Sequence, residues 1–205
     1  MYDIRYGWIG SSPEGYPNQL IIKPNYEASS IGISEENIGY FDAEFFEKVK
    51  NLSKSYHQEV LVEEFIEGYE VEVPVICDGD PFCVFPAGIS LNTKDFLGTQ
   101  ILNYNIRYHD AYSFYDFSNK NLQLANRIME CTCKVAKLLN ISGLGRIDFR
   151  IDANQNIYIT DISTNPHYTL HSSYFYVFQQ LGLNYEDLIA CLIASSLINN
   201  TRNKK

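Results

Sequence analysis

The residues best suited to chemistry lie in one short stretch. Gly143-Leu-Gly-Arg-Ile-Asp-Phe-Arg-Ile-Asp152 and Ile157-Tyr-Ile-Thr-Asp-Ile-Ser163 flank the polar segment 153–156 and read as two strands joined by a turn. With that turn, Asp152 pairs with Ile157, Asp148 lies opposite Asp161, Arg146 opposite Ser163 and Arg150 opposite Ile159. Alternation then sets Arg146, Asp148, Asp161 and Ser163 on one face. The other face pairs Ile147 with Ile162, Phe149 with Thr160 and Ile151 with Tyr158, a surface fit for a core. Carboxylates directly opposed in this way have Cβ atoms about 5 Å apart and repel each other unless a cation intervenes. Two readings follow: a solvent-facing surface in which Arg146 neutralises both aspartates, or a magnesium site. Magnesium takes one or two protein carboxylates and fills its other positions with water and phosphate oxygens. Arg146 would then stabilise charge on a phosphoryl or acyl group.

The elements that must position this hairpin are mixed. A strand reads at Leu20-Ile-Ile-Lys23, closed by Pro24, and a loop with a short strand around Ser30–Ser34 follows. Asp42 caps a helix over roughly 43–54, and strands read at 59–65 and 69–77. Asp78-Gly-Asp-Pro81 turns the chain into a return strand at 82–86. From Ala87 to Phe117 the chain reads as a long irregular stretch, suited to a lid. Ser118 caps a helix reaching about Leu139, and helices at 172–181 and 184–198, the second capped by Asn184, close the chain. The class is α+β, with a turn-rich lead-in at 1–19 and a polar tail at 199–205.

Composition bounds the function. A net charge of −9 argues against general nucleic-acid binding, which depends on Lys and Arg neutralising phosphates. It leaves room for one small phosphate ligand. Five cysteines with no Cys-x-x-Cys pair read as reduced thiols. No apolar run approaches the roughly 20 residues of a membrane span, and the amino terminus lacks a signal-peptide layout. The expectation is a cytoplasmic protein that binds neither membrane nor nucleic acid.

With their neighbours, these residues resemble the carboxyl-terminal part of the ATP-grasp superfamily, and within it the D-alanine–D-alanine ligases, from about Leu20 to Ile198. The resemblance implies an ATP-grasp fold, mainly antiparallel, with a small lobe at about 20–62 and a large lobe at about 63–198 clasping a nucleotide. In Leu20-Ile-Ile-Lys-Pro24 and Glu27-Ala-Ser-Ser-Ile-Gly32 it implies Lys23 on the ATP α/β-phosphates and Ser29 and Ser30 over the phosphates. Taken alone, Lys23 reads equally as a strand lysine that keeps its head in water. In Val60–Glu72 it implies that Glu63 and the backbone of Glu64, Phe65 and Ile66 meet adenine, with Glu70 on the ribose hydroxyls. Asn103-Tyr-Asn-Ile-Arg-Tyr108 falls on the family's lid loop, placing Arg107 near the γ-phosphate and Tyr108 near substrate.

Gly143 to Asp148 follows the family's Gly-x-x-Arg-x-Asp, which implies Arg146 on the tetrahedral oxyanion and Asp148 on metal. Asp161-Ile-Ser-Thr-Asn-Pro-His167 lies where the family reads Glu-x-Asn-Thr-x-Pro-Gly. Asp161 and Ser163 thus become metal ligands, with shorter reach and weaker donation, and His167 stands at the oxyanion glycine. Thr169, His171 and Ser172 fit Thr-x-His-Ser, with Ser172 on a substrate carboxylate; His171 also reads as a core histidine. The implied activity is ATP-dependent joining of a carboxylate to an amine through an acyl phosphate, on amino-acid or peptide substrates of the peptidoglycan-precursor type. ATP and magnesium, with manganese as an alternative, are the implied cofactors. Two other readings stay open: a nucleotide-binding module without ligase activity, and a ligase for a different amino acid or peptide. The family places an α/β domain before the matched region, which nineteen residues cannot hold. The expectation is therefore a fragment, or a reduced protein working as a homodimer or with a partner chain that supplies the missing half.

Overall fold

Side-chain oxygens of Asp42, Asn103, Asn121 and Asn184 each start a helix. They accept from the N–H groups of Phe45 (2.8 Å), Ile106 (3.0 Å), Leu124 (3.0 Å) and Asp187 (2.9 Å). The computed structural model describes residues 18–202, so most of the lead-in and the last residues of the tail lie outside the described residues. In chain order the elements are β1 (Leu20–Pro24), β2 (Ile38–Gly39), α1 (Ala43–Tyr56), β3 (Val60–Glu64), β4 (Gly68–Cys77), β5 (Ala87–Ser90) and β6 (Phe96–Gly98). Then come α2 (Tyr104–Tyr108), β7 (Ser113–Asp116), α3 (Leu122–Leu138), β8 (Gly143–Ile151), β9 (Ile157–Ser163), α4 (Ser173–Gln180) and α5 (Tyr185–Arg202). They form two compact units. One runs to Ile66 and takes in Thr99–Ala111; the other is Glu67–Gly98 with the chain from Tyr112 onward.

The first unit is an antiparallel sheet in the order β2-β1-β3. Alternation in β1 sends Leu20 and Ile22 to Phe45 and Val49 of α1, and sends Ile21 to Phe65 and Ile101. The strand expected around Ser30–Ser34 is absent. Ser29 and Ser30 both take left-handed backbone, at φ 56° and 59°, which reverses the chain where a strand would extend it. The short strand is β2 instead.

The second unit is a six-stranded antiparallel sheet along β7-β5-β4-β8-β9, with β6 also on β4. β4 and β8 pair in unbroken register from Tyr69↔Ile151 to Cys77↔Gly143. One face of this pair, Val71, Val73, Ile147, Phe149 and Ile151, packs on Leu124, Ala125 and Ile128 of α3. On the other face only the far end is apolar: Leu144 and Ile76 lie under Tyr174 and Phe178 of α4 and Leu188 of α5. The Tyr174 hydroxyl lies 2.5 Å from the Gly145 carbonyl and 2.8 Å from that of Val75, tying α4 to both central strands. At the near end of β4, Gly68 passes so close to the Ile151 carbonyl that a Cβ would collide with it.

Several expectations are corrected here. The return strand at 82–86 is a single bridge from Phe82 to Ile76. The stretch 87–117 is ordered into β5, β6, α2 and β7; its strands are short and made partly of small residues, so alternation does not announce them. Asn121, not Ser118, caps α3, because Ser118 lies in a 3₁₀ turn that Asp116 starts by accepting from its N–H at 2.8 Å.

The hairpin register also differs past the aspartates. Asp152 pairs with Asn156, its N–H reaching the Asn156 carbonyl at 3.2 Å, so the turn is one residue tighter than expected, with Gln155 left-handed at φ 64°. A bulge between Asp148 and Phe149 takes up the difference, leaving Thr160 as the extra residue. Arg146↔Ser163, Ile147↔Ile162 and Asp148↔Asp161 stand as expected, whereas Phe149 faces Ile159, Arg150 faces Tyr158 and Ile151 faces Ile157. The apolar face of the hairpin thereby gains isoleucines in place of Thr160 and Tyr158.

Among the described residues no single helix is long and apolar enough to cross a membrane. Phe149 is fully buried in the core that backs the aspartates. Phe149→Ala is expected to lower the unfolding free energy by about 3–5 kcal/mol, read from urea denaturation curves at constant slope.

Candidate functional site

Because valines and isoleucines fill the α3 face of β4 and β8, the intervening residues all point the other way. Across that second face Glu70 pairs with Arg150, Glu72 with Asp148 and Pro74 with Arg146. β9 adds Asp161 opposite Asp148 and Ser163 opposite Arg146. The result is a row of charged side chains in the sheet interior: Glu72 is 1% exposed, Arg146 and Arg150 5%, Asp148 7%. Asp161, on the edge strand, is exposed.

Arg146 organises the row. Its Nε donates to Asp148 Oδ1 and its Nη2 to Oδ2, both at 2.7 Å, a bidentate clamp. Its Nη1 lies 3.3 Å from Glu72 Oε2. Arg150 donates from Nη2 to Glu70 Oε2 at 2.9 Å and from Nη1 to the Gly98 carbonyl at 3.1 Å. The carboxylates of Glu70, Glu72, Asp148 and Asp161 thus share the guanidiniums of Arg146 and Arg150. Fully ionised, four carboxylates against two guanidiniums carry a surplus of two negative charges. Asp148 departs from ordinary carboxylate behaviour. Burial pushes its carboxyl up to about 7, with Glu72 and Asp161 adding to the rise, even though Arg146 pulls the other way. Burial works against the Arg146 charge too, but Glu72 and Asp148 outweigh it and hold the guanidinium firmly protonated.

Among the described residues no group of three or more His, Cys, Asp or Glu side chains is gathered to hold a metal by itself. Magnesium takes only one or two protein carboxylates and fills its other positions with water and phosphate oxygens. Asp148 and Asp161 are the facing carboxylates that could hold a divalent cation, and Ser163 lies in the next site-facing pair.

In the first unit, Lys23 is paired with Glu63 at 2.5 Å across β1 and β3, with side chains 23% and 38% exposed. Ser30 donates to the Leu102 carbonyl at 2.9 Å, while Ser29 is exposed. Glu64 is exposed and accepts from Asn18 at 2.6 Å; the Phe65 N–H donates to the Gln19 carbonyl at 2.8 Å, and Ile66 follows half-buried. Arg107 is half-buried in α2, and Tyr108 is exposed at its end, stacked on Tyr104 with ring centroids 5.9 Å apart. The lysine and the glutamate expected at the nucleotide are therefore brought together.

Ser172 is held by the chain's own hydrogen bonds. It is the buried N-cap of α4, accepting from the Phe175 N–H at 3.2 Å and donating to the Thr169 carbonyl at 2.7 Å. His171 packs edge-on against Tyr112, ring centroids 4.5 Å apart, beside Phe114. His167 is exposed on the segment after β9. Glu72 and Arg150 carry no motif assignment in the sequence reading. Their signal was the two-residue spacing Glu70-x-Glu72, matching Arg146-x-Asp148-x-Arg150 on the facing strand.

The fold is that of the ATP-grasp ligases. A D-alanine–D-alanine ligase from Bacillus anthracis, solved in complex with ATP, superposes with a TM-score of 0.72 at 18% identity, covering 99% of this chain and 59% of that one. The VanG D-Ala:D-Ser ligase from Enterococcus faecalis superposes with a TM-score of 0.66 at 24% identity, covering 88% and 50%. The family model for the D-ala D-ala ligase C-terminus matches residues 11–194, and the chain belongs to that family. The D-alanine–D-alanine ligase of Geobacillus thermodenitrificans is 30% identical over 185 residues, covering 89% of this chain and 47% of the relative. That of Acetivibrio thermocellus is 28% identical over 189 residues, covering 91% and 48%. The chain thus spans about half the length of the curated relatives it matches.

The two basic residues should differ sharply when removed from the metal-free protein. Arg146→Met leaves Glu72 and Asp148 buried without their cation and is expected to cost about 3–5 kcal/mol. Lys23→Met breaks a partly exposed pair and is expected to cost under about 1 kcal/mol. Urea denaturation of the two variants beside the parent chain measures both.

Proposed function

We propose that this chain carries the ATP-binding and metal-binding residues of an ATP-dependent carboxylate–amine ligase of the D-alanine–D-alanine ligase type, working on amino-acid or dipeptide substrates in the cytoplasm. The observation that carries the reading is the buried row around Asp148. Its surplus of two negative charges calls for a divalent cation, and the family to which the chain belongs supplies the reaction. Asp148 and Asp161 would hold the cation, magnesium by preference or manganese, with Ser163 as a weak third donor. When bound, the cation neutralises charge on the phosphoryl group being transferred from ATP to the substrate carboxylate. Lys23 adds positive charge at the phosphates, and Ser29 and Ser30 lie on the turn assigned to cover them. Glu63 and the 64–66 backbone take adenine, Glu70 the ribose, and Arg107 the γ-phosphate end. Tyr108 and His167 are assigned to the substrate side, and Ser172 to the substrate carboxylate at the positive end of α4. Arg146 stabilises the oxyanion formed when an amine attacks the acyl phosphate.

A second reading is favoured by Ser163 and His167, which stand where the family reads Asn and Gly. The chain would then be a nucleotide-binding module without ligase activity. Phosphate release with ATP, magnesium and a panel of amino acids separates the two. Nucleotide-dependent thermal stabilisation with no turnover under any pairing would leave only the second.

Asp148→Asn keeps the shape and an acceptor for Arg146 but removes the charge. It is expected to fold, and to lose the magnesium-dependent part of ATP stabilisation in a thermal shift titration. Lys23→Met is expected to weaken ATP about 10–100-fold with the metal dependence retained. An unchanged metal dependence in Asp148→Asn would remove the hairpin from the site.

A further inference from the structure

We propose that Glu72 is a positioning residue for Asp148: it retains the Arg146 guanidinium so that Asp148 can turn its oxygens to a divalent cation. The inference rests on the reading of Asp148 and Asp161 as metal ligands. As the chain stands, both Asp148 oxygens are taken by Arg146, at 2.7 Å each. Each oxygen keeps a second lone pair, but a cation that draws the carboxylate toward Asp161 turns it out of the Arg146 fork and weakens those bonds. A buried guanidinium left without an acceptor is strongly disfavoured, so the exchange needs a second acceptor within reach.

Glu72 fits that requirement. It lies directly opposite Asp148 in the central register and is 1% exposed. Its Oε2 is 3.3 Å from Arg146 Nη1, longer than the 2.7 Å of the bonds to Asp148, so the contact can shorten as the guanidinium shifts. For strand packing alone, a carboxylate here is a poor choice. It places two carboxylates face to face in the sheet interior, where apolar residues such as Val71 and Val73 serve β4 on its other face. Glu72 also contributes to the negative surplus that attracts the cation while standing outside the β8–β9 hairpin that would hold it.

Manganese affinity in the presence of ATP, read from the electron paramagnetic resonance signal of free Mn²⁺, tests the inference. Glu72→Gln is expected to bind the ion about 10–100-fold more weakly than the parent chain, and Glu72→Asp, which keeps the charge, to recover most of that loss. Parent-level affinity in Glu72→Gln, or equal weakness in both variants, overturns the proposal. A purely structural Glu72 would lower the metal-free unfolding midpoint and leave the affinity of the folded fraction alone. If the parent chain binds no Mn²⁺, or Asp148→Asn binds it unchanged, the metal reading itself fails, which is a separate result. Should Glu72→Gln not fold, the parent chain decides by ¹⁵N NMR of the arginine side chains. The Arg146 guanidinium signals are expected to stay slow in solvent exchange at saturating Mg²⁺ and ATP. Their joining the fast-exchanging pool overturns the proposal.

Discussion

A guanidinium enclosed by carboxylates inside a sheet is a demanding thing to build. Taking Arg146, Asp148 and Glu72 out of water carries a large desolvation penalty, which only close and well-directed contacts offset. The two 2.7 Å bonds from Arg146 to Asp148 meet that demand, and they require β8 to hold its side chains on a fixed face beside β4. A slip of one residue would carry the row to the α3 face and bury charge against isoleucine. Much of the second unit can be understood as insurance against that slip. The valines of β4 lock onto Ile147 and Phe149, Gly68 lets Ile151 approach, and the Tyr174 hydroxyl spans the Val75 and Gly145 carbonyls at the far end.

The hairpin solves a second problem. Its turn closes on Asp152, whose carboxylate accepts from the N–H groups of Asn154 at 2.9 Å and Asn156 at 2.8 Å, so local hydrogen bonding sets a three-residue loop. Continued without interruption, that register would set Thr160 opposite Asp148. The bulge at Thr160 restores Asp161 to that place and keeps Ile157, Ile159 and Ile162 opposite the apolar residues of β8. The carboxylate pair therefore depends on two compensating irregularities next to each other.

This explains what was legible in the residues and what was not. The pairing of Asp148 with Asp161 was readable, because the alternation around it is regular, and the assumed turn and the real turn plus bulge give the same register there. The pairing beyond was misread, although the spacing of Ile157, Ile159 and Ile162, two residues and then three, carries the mark of a bulge. Long amphipathic helices and their caps at Asp42 and Asn184 were legible because capping chemistry is local. β5, β6 and β7 were not, since strands of three or four residues gain their stability from neighbours distant in sequence. Glu72 was hidden for a related reason. Within β4 it alternates with valines like any strand glutamate; only the facing strand reveals that it is enclosed with Asp148 and Arg146.

Under the proposed function, the two units share a feature that bears on affinity. Several of the charged groups assigned to the ligand already have an internal partner of opposite charge: Lys23 on Glu63, Glu70 on Arg150, Arg146 on Asp148. Binding at these positions is then an exchange of partners, in which each new ionic contact is offset by an old one released, so the net gain per contact is modest. What is not offset is the surplus of negative charge around Asp148, which no residue of the row neutralises. On this reasoning the cation supplies the largest unopposed electrostatic term, and nucleotide affinity should follow metal occupancy more closely than it follows any single basic side chain. The same exchange requires a place for each displaced charge to go, and for Arg146 that place is Glu72, 3.3 Å away.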